Sequence, residues 1–268
     1  MDKRINPFNE LYLTETIGST EFVRLFSPYI LKNAEALFLP GNVVLQGVQG
    51  SGKSMLLNLL KPEVRLAYAQ ANERFPVSGK LSRFIGAGIN LTRSRSIDFG
   101  QRPIDPNHPN DHNIVPLYFG DFLNYWIVFD VLKSVDLLGE GGRHLKLDVS
   151  PDASLDTLNT FAIALAQDDC WFGYLRDVRD YKSIKERLSS RITHYLTFLN
   201  FNSQYLDPAI AETKTSVGSP VSRAAEHLRK TGVIEEDVEL FVRIDQYEEL
   251  TRLEGLSLVS GKVLCGIR

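Results

Sequence analysis

The chain has 268 residues, 43% of them hydrophobic and 24% charged, with a formal net charge of −3 and a pI near 6.0. That apolar content supplies a sizeable core and excludes a disordered protein, and the charge gives no global pull toward nucleic acid or a membrane surface. The two cysteines, Cys170 and Cys265, lie far apart without CxxC or Cys/His ligand spacing, so they point to neither a disulfide framework nor a zinc site; they read as apolar fillers in a reducing compartment.

The N-terminus, Met1 to Phe8, has no apolar signal core, which is the pattern of a cytoplasmic chain. Thr20 to Phe26 starts a helix and Pro28 to Lys32 leads toward another. Val43-Val44-Leu45-Gln46 is a short β-branched run predicted as a strand, and Met55 to Leu60 is a helix-forming run closed by Pro62. Between them stands Gly47-Val48-Gln49-Gly50-Ser51-Gly52-Lys53-Ser54, a complete G-x-x-x-x-G-K-[ST] phosphate loop. Gly47, Gly50 and Gly52 allow backbone conformations that a Cβ forbids, so consecutive N–H groups, that of Ser51 among them, can turn inward around phosphates. Lys53 adds a point charge on those phosphates, and the Ser54 hydroxyl is placed to hold Mg²⁺. The helix that follows points its positive dipole end at the same anion. The plain alternative is a Gly-rich turn that binds nothing. For a nucleotide held there, Asn6-Pro7-Phe8 and Leu25-Phe26 are candidates for a base pocket, with ordinary apolar anchoring as the competing reading.

Beyond the loop, Glu63 to Arg74 is rich in Ala, Glu and Arg and reads as a helix. Arg83 to Leu91 reads as the second parallel strand, its glycines marking a close backbone approach or a bulge. Residues 98–115 are rich in Pro, Asn, Asp and His and read as an exposed loop. His108, His112, Asp105 and Asp111 make a loose metal-like cluster there, but no third anchoring ligand accompanies them and a solvated loop explains them as well. From Pro116 to about Asn202 the pattern is helical: Tyr118, Phe119, Phe122, Tyr125, Trp126, Phe129, Leu132 and Val135 recur at threes and fours as one apolar stripe. Leu117 to Leu138 also carries Asp121, Asn124, Asp130 and Lys133, so it is a packed helix and not a membrane span. Gly139 to Gly142 reads as a break. Ser154 to Gln167 and Trp171 to Phe201 supply further helices, separated at Asp168-Asp169. Arg176, Arg179, Lys182, Lys185, Arg187 and Arg191 alternate with Asp177, Asp180 and Glu186, as on a solvated helix face; a phosphate-backbone contact surface is the alternative.

Ser222 to Lys230 is helix-like, and Glu239 to Asp245 has the form of a strand ending in an acid. A phosphate-loop ATPase needs such an acid for Mg²⁺ and a nearby carboxylate to activate water. Asp245 takes the first role. Glu248 takes the second, ahead of Glu249, because Gln246 occupies the position beside Asp245 where many ATPases place the catalytic Glu. The fold expected is α/β, a P-loop NTPase three-layer sandwich with a parallel central sheet and a large helical insert. Its parts are residues 1–97 with the phosphate loop, the insert at 98–220, and 221–268 with the acid-ending (Walker B) strand.

The Asn-Pro-Phe opening, Leu25-Phe26-Ser27-Pro28, the loop from Gln46 to Ser54 and the run Ile244-Asp245-Gln246-Tyr247-Glu248-Glu249-Leu250 resemble bacterial AAA+ ATPases related to the origin-recognition group. The resemblance implies an ATP-driven switch with ATP and Mg²⁺ as ligands, Lys53 and Ser54 on phosphate and metal, and Asp245 on the metal. Members of this kind often accompany DNA-associated or phage-defence (antiviral) systems. Two departures stand out. Arg243 interrupts a strand expected to be buried on both faces. The stretch 246–268 is too short for the remaining core strands, a sensor residue, an arginine finger and a helical lid, so the expectation is a fragment or half-site completed by a homo-oligomer or a partner protein. No Asn-Lys-x-Asp motif occurs, which argues against GTP. The leading expectation is an ATP-hydrolysing AAA+-like module; the alternative is a nucleotide-dependent scaffold that binds ATP without turnover.

Overall fold

The computed structural model describes residues 18–48, 50–77, 79–101, 111–145, 147–200 and 208–246. In chain order its elements are α1 (Ser19–Leu25), α2 (Lys53–Asn58), α3 (Pro62–Gln70), β1 (Phe84–Asn90), α4 (Asp98–Gln101), α5 (Asp111–Leu145), α6 (Leu155–Ala166), α7 (Tyr181–Asn200), α8 (Pro208–Glu212), α9 (Ser219–Lys230) and β2 (Glu239–Asp245), with short 3₁₀ turns between. β1 and β2 pair in parallel, from Phe84 opposite Glu239 to Asn90 opposite Asp245. Side chains alternate across a strand, so each strand feeds two cores. Ile85, Ala87 and Ile89, with Leu240, Val242 and Ile244, join the larger core, whereas Phe84 and Phe241 join the smaller one.

The larger core is built on α5. Phe119, Phe122, Leu123, Tyr125, Val128, Val131, Leu132 and Val135 are all buried, the pattern of a helix enclosed on most of its circumference. It packs on β1, α3, α7 and α9. Its polar side chains also close the outer edge of the sheet. The Gly88 N–H donates to Asp130 Oδ2 at 2.8 Å, and the Ser134 hydroxyl, one helical turn further on, donates to the Gly86 carbonyl at 2.9 Å. Two of the backbone groups on that edge of β1 are therefore satisfied by side chains and not by another strand. The smaller core gathers Phe22, Phe26, Phe38, Leu59, Leu60, Val64 and Tyr68 on the other face. The end of the α2 segment lies so close to β1 that a Cβ at Gly86 would overlap the Leu60 carbonyl.

Several expectations are corrected. Residues 42–48 have no regular secondary structure, and Val43 and Val44 are 43% and 62% exposed; among the described residues no strand lies alongside to complete a ladder. The stretch 98–115 is not all loop, since α4 occupies its start and α5 begins at Asp111. The glycines at 139–142 do not break α5. They are contact points: a Cβ at Gly139 would lie 2.5 Å from that of Ala153, one at Gly142 would lie 2.6 Å from Ser150 Oγ, and one at Gly141 would overlap Leu66. The helix expected from Trp171 starts only at Tyr181, because Phe172 and Gly173 take left-handed conformations after a 3₁₀ turn capped by Asp168. Cys170 is partly buried, and burial together with Asp168 pushes its thiol well above its usual range. Asp105, His108 and Cys265 lie outside the described residues, among which no group of three or more His, Cys, Asp or Glu is placed to hold a metal. No described helix is long and apolar enough to cross a membrane.

Arg191 is the sharpest correction, since it belongs to no solvated face. It is fully buried, as is Asp121, and Asp121 Oδ2 accepts from its Nε at 3.0 Å, from its Nη2 at 2.8 Å and from the Tyr195 hydroxyl at 2.6 Å. The other oxygen accepts from the Thr215 N–H and hydroxyl, each at 2.6 Å. This pair ties α5, α7 and the segment before α9 together, and removing one partner strands a charge. Asp121→Ala should cost about 3–5 kcal/mol of stability, and pairing Asp121→Leu with Arg191→Met should recover only part of it, because the Tyr195 hydroxyl and the Thr215 N–H lose their acceptor. Urea unfolding of both variants measures this; a loss below about 1 kcal/mol for Asp121→Ala would contradict it.

Candidate functional site

The loop between residue 46 and α2 is shaped by its glycines. Gly50 and Gly52 hold left-handed φ values of 83° and 87°, and Gly52 is the N-cap of α2, its carbonyl accepting the Leu56 N–H at 3.0 Å. A Cβ at Gly47 would lie 2.7 Å from Ser51 Oγ. The Ser51 N–H donates to the Val48 carbonyl at 3.2 Å, closing a turn. The Lys53 ammonium folds across this turn and donates to the carbonyls of Gly47 at 2.7 Å and Val48 at 3.1 Å. Lys53 and Ser54 are partly buried, while Gly47, Gly50 and Ser51 are exposed. Gln49 lies outside the described residues. The result is a turn with the lysine head group folded across its carbonyls, bordered by Ile30, whose Cδ1 is 3.6 Å from where a Gly52 Cβ would stand.

α2 packs against β2, the strand that ends in Asp245. The Asp245 carboxylate accepts the N–H of Gln246 at 2.9 Å, with the Asn90 amide 3.5 Å away, and the Leu91 N–H donates to its main-chain carbonyl at 3.2 Å. Gln246 itself has a left-handed φ of 62°, an uncommon conformation for a residue with a side chain. The expected base-pocket residues divide: Phe26 is buried and stacks on Phe22 with ring centroids 5.2 Å apart, Leu25 is 43% exposed, and Asn6, Pro7 and Phe8 lie outside the described residues. Glu248 and Glu249 also lie outside them.

A match to the family model for ORC-CDC6-like proteins runs over residues 6–253. The chain belongs to the ORC-CDC6-like family. Membership brings the P-loop NTPase fold and the character of a nucleotide-binding AAA+-type module, and proteins of this family generally bind ATP with Mg²⁺. Comparisons with curated proteins and with solved structures find no match. The loop of this ORC-CDC6-like chain fits a phosphate group on its own terms, because a Cβ would intrude at Gly47, left-handed glycines stand at 50 and 52, and Lys53 supplies the cation. The Ser54 hydroxyl and the Asp245 carboxylate are oxygen donors of the kind that Mg²⁺ takes beside nucleotide phosphates.

Two cations stand near Asp245: Arg243, which the sequence marks only as a departure in the strand, and Lys61, which motif reasoning missed. Arg243, on the same face of β2, is 13% exposed, and its Nη2 lies 3.9 Å from Asp130 of α5. This is the partner that a charge in a strand requires. Lys61, just past α2, has its pKa lowered by burial and by the Arg243 charge, against the opposing pull of Glu63 and Asp245. Gly88, directly opposite Arg243 in the ladder, is the residue that makes room for it. A groove of about 580 Å³ between α5 and α7, lined by Phe129, Lys133, Asp136, Lys185 and His194 among others, includes no residue of the loop or β2.

A Cβ at Gly88 would overlap both the carbonyl and the Cγ of Arg243. Gly88→Ala should therefore cost about 1–3 kcal/mol by forcing the strands apart, read from the urea midpoint; a shift equivalent to less than about 0.5 kcal/mol would show that the strands are not held this closely.

Proposed function

We propose that the chain is an ATP-binding, Mg²⁺-dependent ATP-hydrolysing module that acts as a nucleotide switch. The observation that carries this reading is the glycine cradle closed by Lys53 at the start of a helix packed on the strand that ends in Asp245. The sheet of β1 and β2 is, in this reading, part of a three-layer P-loop sandwich whose insert is the helical region from α4 to α8. The N–H groups of the loop, from Gly47 through Gly52, orient the β- and γ-phosphates, that of Ser51 by leaving the Val48 carbonyl. Lys53 exchanges its loop carbonyls for phosphate oxygens, so the cost of leaving them offsets part of what it gains. Ser54 and Asp245 hold the metal, one through its hydroxyl and the other through its carboxylate. Mg²⁺ bound there would neutralise charge on the phosphates during transfer to water. Glu248 orients and deprotonates the attacking water.

A second reading, a nucleotide-dependent scaffold without turnover, has one observation in its favour. The residue directly after Asp245 is Gln246, which cannot accept a proton as a base, and it takes a left-handed conformation. Membership of a family that often oligomerises or associates with DNA supports placing either form in a homo-oligomer, or with a partner protein that completes the site. A DNA-associated or antiviral-defence assembly is the setting we favour.

Lys53→Ala should weaken ATP binding at least about tenfold in the presence of Mg²⁺. Glu248→Gln should retain binding and lower turnover by about 10²-fold or more. Calorimetric titration and phosphate release measure the two effects. Unchanged binding by Lys53→Ala would sink the nucleotide reading, whereas tight binding without turnover by the unaltered chain would favour the scaffold.

A further inference from the structure

The carboxylate of Asp130 meets both strands. Its Oδ2 accepts the Gly88 N–H at 2.8 Å and lies 3.9 Å from the Arg243 guanidinium. Gly88 and Arg243 face each other in the ladder, and the next pair on the same face is Asn90 and Asp245. Arg243 passes over Gly88, the position where a Cβ would block it. Its Nε has no hydrogen-bond partner among the described residues, and Lys61 presents a like charge nearby. The ion pair with Asp130 therefore leaves the guanidinium under-satisfied and ready to take another carboxylate. Asp245 is that carboxylate. It stands two residues along the same face, about 6.6 Å away along the strand, a span that an arginine side chain covers.

We propose that Asp130 is a positioning residue for the metal site: by engaging Arg243 it keeps that guanidinium off Asp245 and leaves the Asp245 carboxylate to Mg²⁺. The inference rests on the function proposed above and adds a dependence to it. The site is competent only while α5, the first long helix of the helical region, lies against β1. A displacement of α5 would release Arg243 onto Asp245 and weaken the metal without altering the phosphate loop.

The test measures affinity for a fluorescent ATP analogue in EDTA and in Mg²⁺. The unaltered chain should bind in EDTA and tighten on adding Mg²⁺. Asp130→Asn keeps an acceptor for the Gly88 N–H but loses the charge; it should forfeit about tenfold of that tightening while its affinity in EDTA stays within about threefold. Ser134→Ala, which breaks the neighbouring bond to Gly86, should tighten as the unaltered chain does. The decisive variant is Asp130→Asn with Arg243→Gln, in which the competitor is gone and the Mg²⁺ effect should return. A merely structural role for Asp130 would leave the double variant no better than the single one, and that result, or full tightening by Asp130→Asn, overturns the inference alone. An unaltered chain that binds no nucleotide in either buffer overturns the proposed function along with it.

Discussion

A two-stranded sheet is not stable by itself in water, and the site at the end of β2 exists because α5 lies along the other edge of β1. Asp130 and Ser134, one helical turn apart, supply hydrogen bonds that a third strand would otherwise provide. The apolar residues of α5 bury the Ile85, Ala87 and Ile89 face in the same contact. The helix is in turn fixed from behind by the buried Asp121–Arg191 pair and its ring of hydroxyl and backbone donors. Edge satisfaction, apolar burial and one desolvated ion pair thus act on a single helix, and the register that places Asp245 opposite Asn90 follows from them.

This arrangement gives the helical region a mechanical relation to the nucleotide site. The loop, α2 and the Asp245 end of β2 lie on one side of the sheet, with Phe84 and Phe241 packed beneath them in the smaller core. α5 lies on the other side, and Asp130 reaches across from it to Arg243. A buried or half-buried charge is expensive unless paired, so that contact is a sensitive one. In a nucleotide switch, a partner that engages the helices and a nucleotide that engages the loop would communicate at this point, by the choice Arg243 makes between two carboxylates.

The parts legible in the sequence are those whose chemistry is local. The phosphate loop declares itself within eight residues, β1 and β2 by their apolar runs, and α5 by a stripe at threes and fours. What was not legible depends on distant partners. Arg191 reads as one more surface cation because Asp121, the residue that permits its burial, lies 70 positions earlier. The glycines at 139, 141 and 142 read as punctuation because Ala153, Leu66 and Ser150, which they accommodate, are remote in sequence or on other elements. Val43 to Gln46 has the composition of a strand, but a strand is defined by a neighbour, and composition does not supply one. Arg243 looked like a departure from the pattern until Gly88 and Asp130 gave it a path and a partner.

In the proposed function, nucleotide is held at the loop and sensed at the end of β2. Amide hydrogen exchange with and without ATP and Mg²⁺ should then show added protection in peptides spanning residues 50–58 and at the Asn90 and Asp245 ends of the strands, with the α5–α7 groove around Phe129 and Lys185 unchanged. Protection confined to that groove, or no change at the loop at saturating nucleotide, would contradict it.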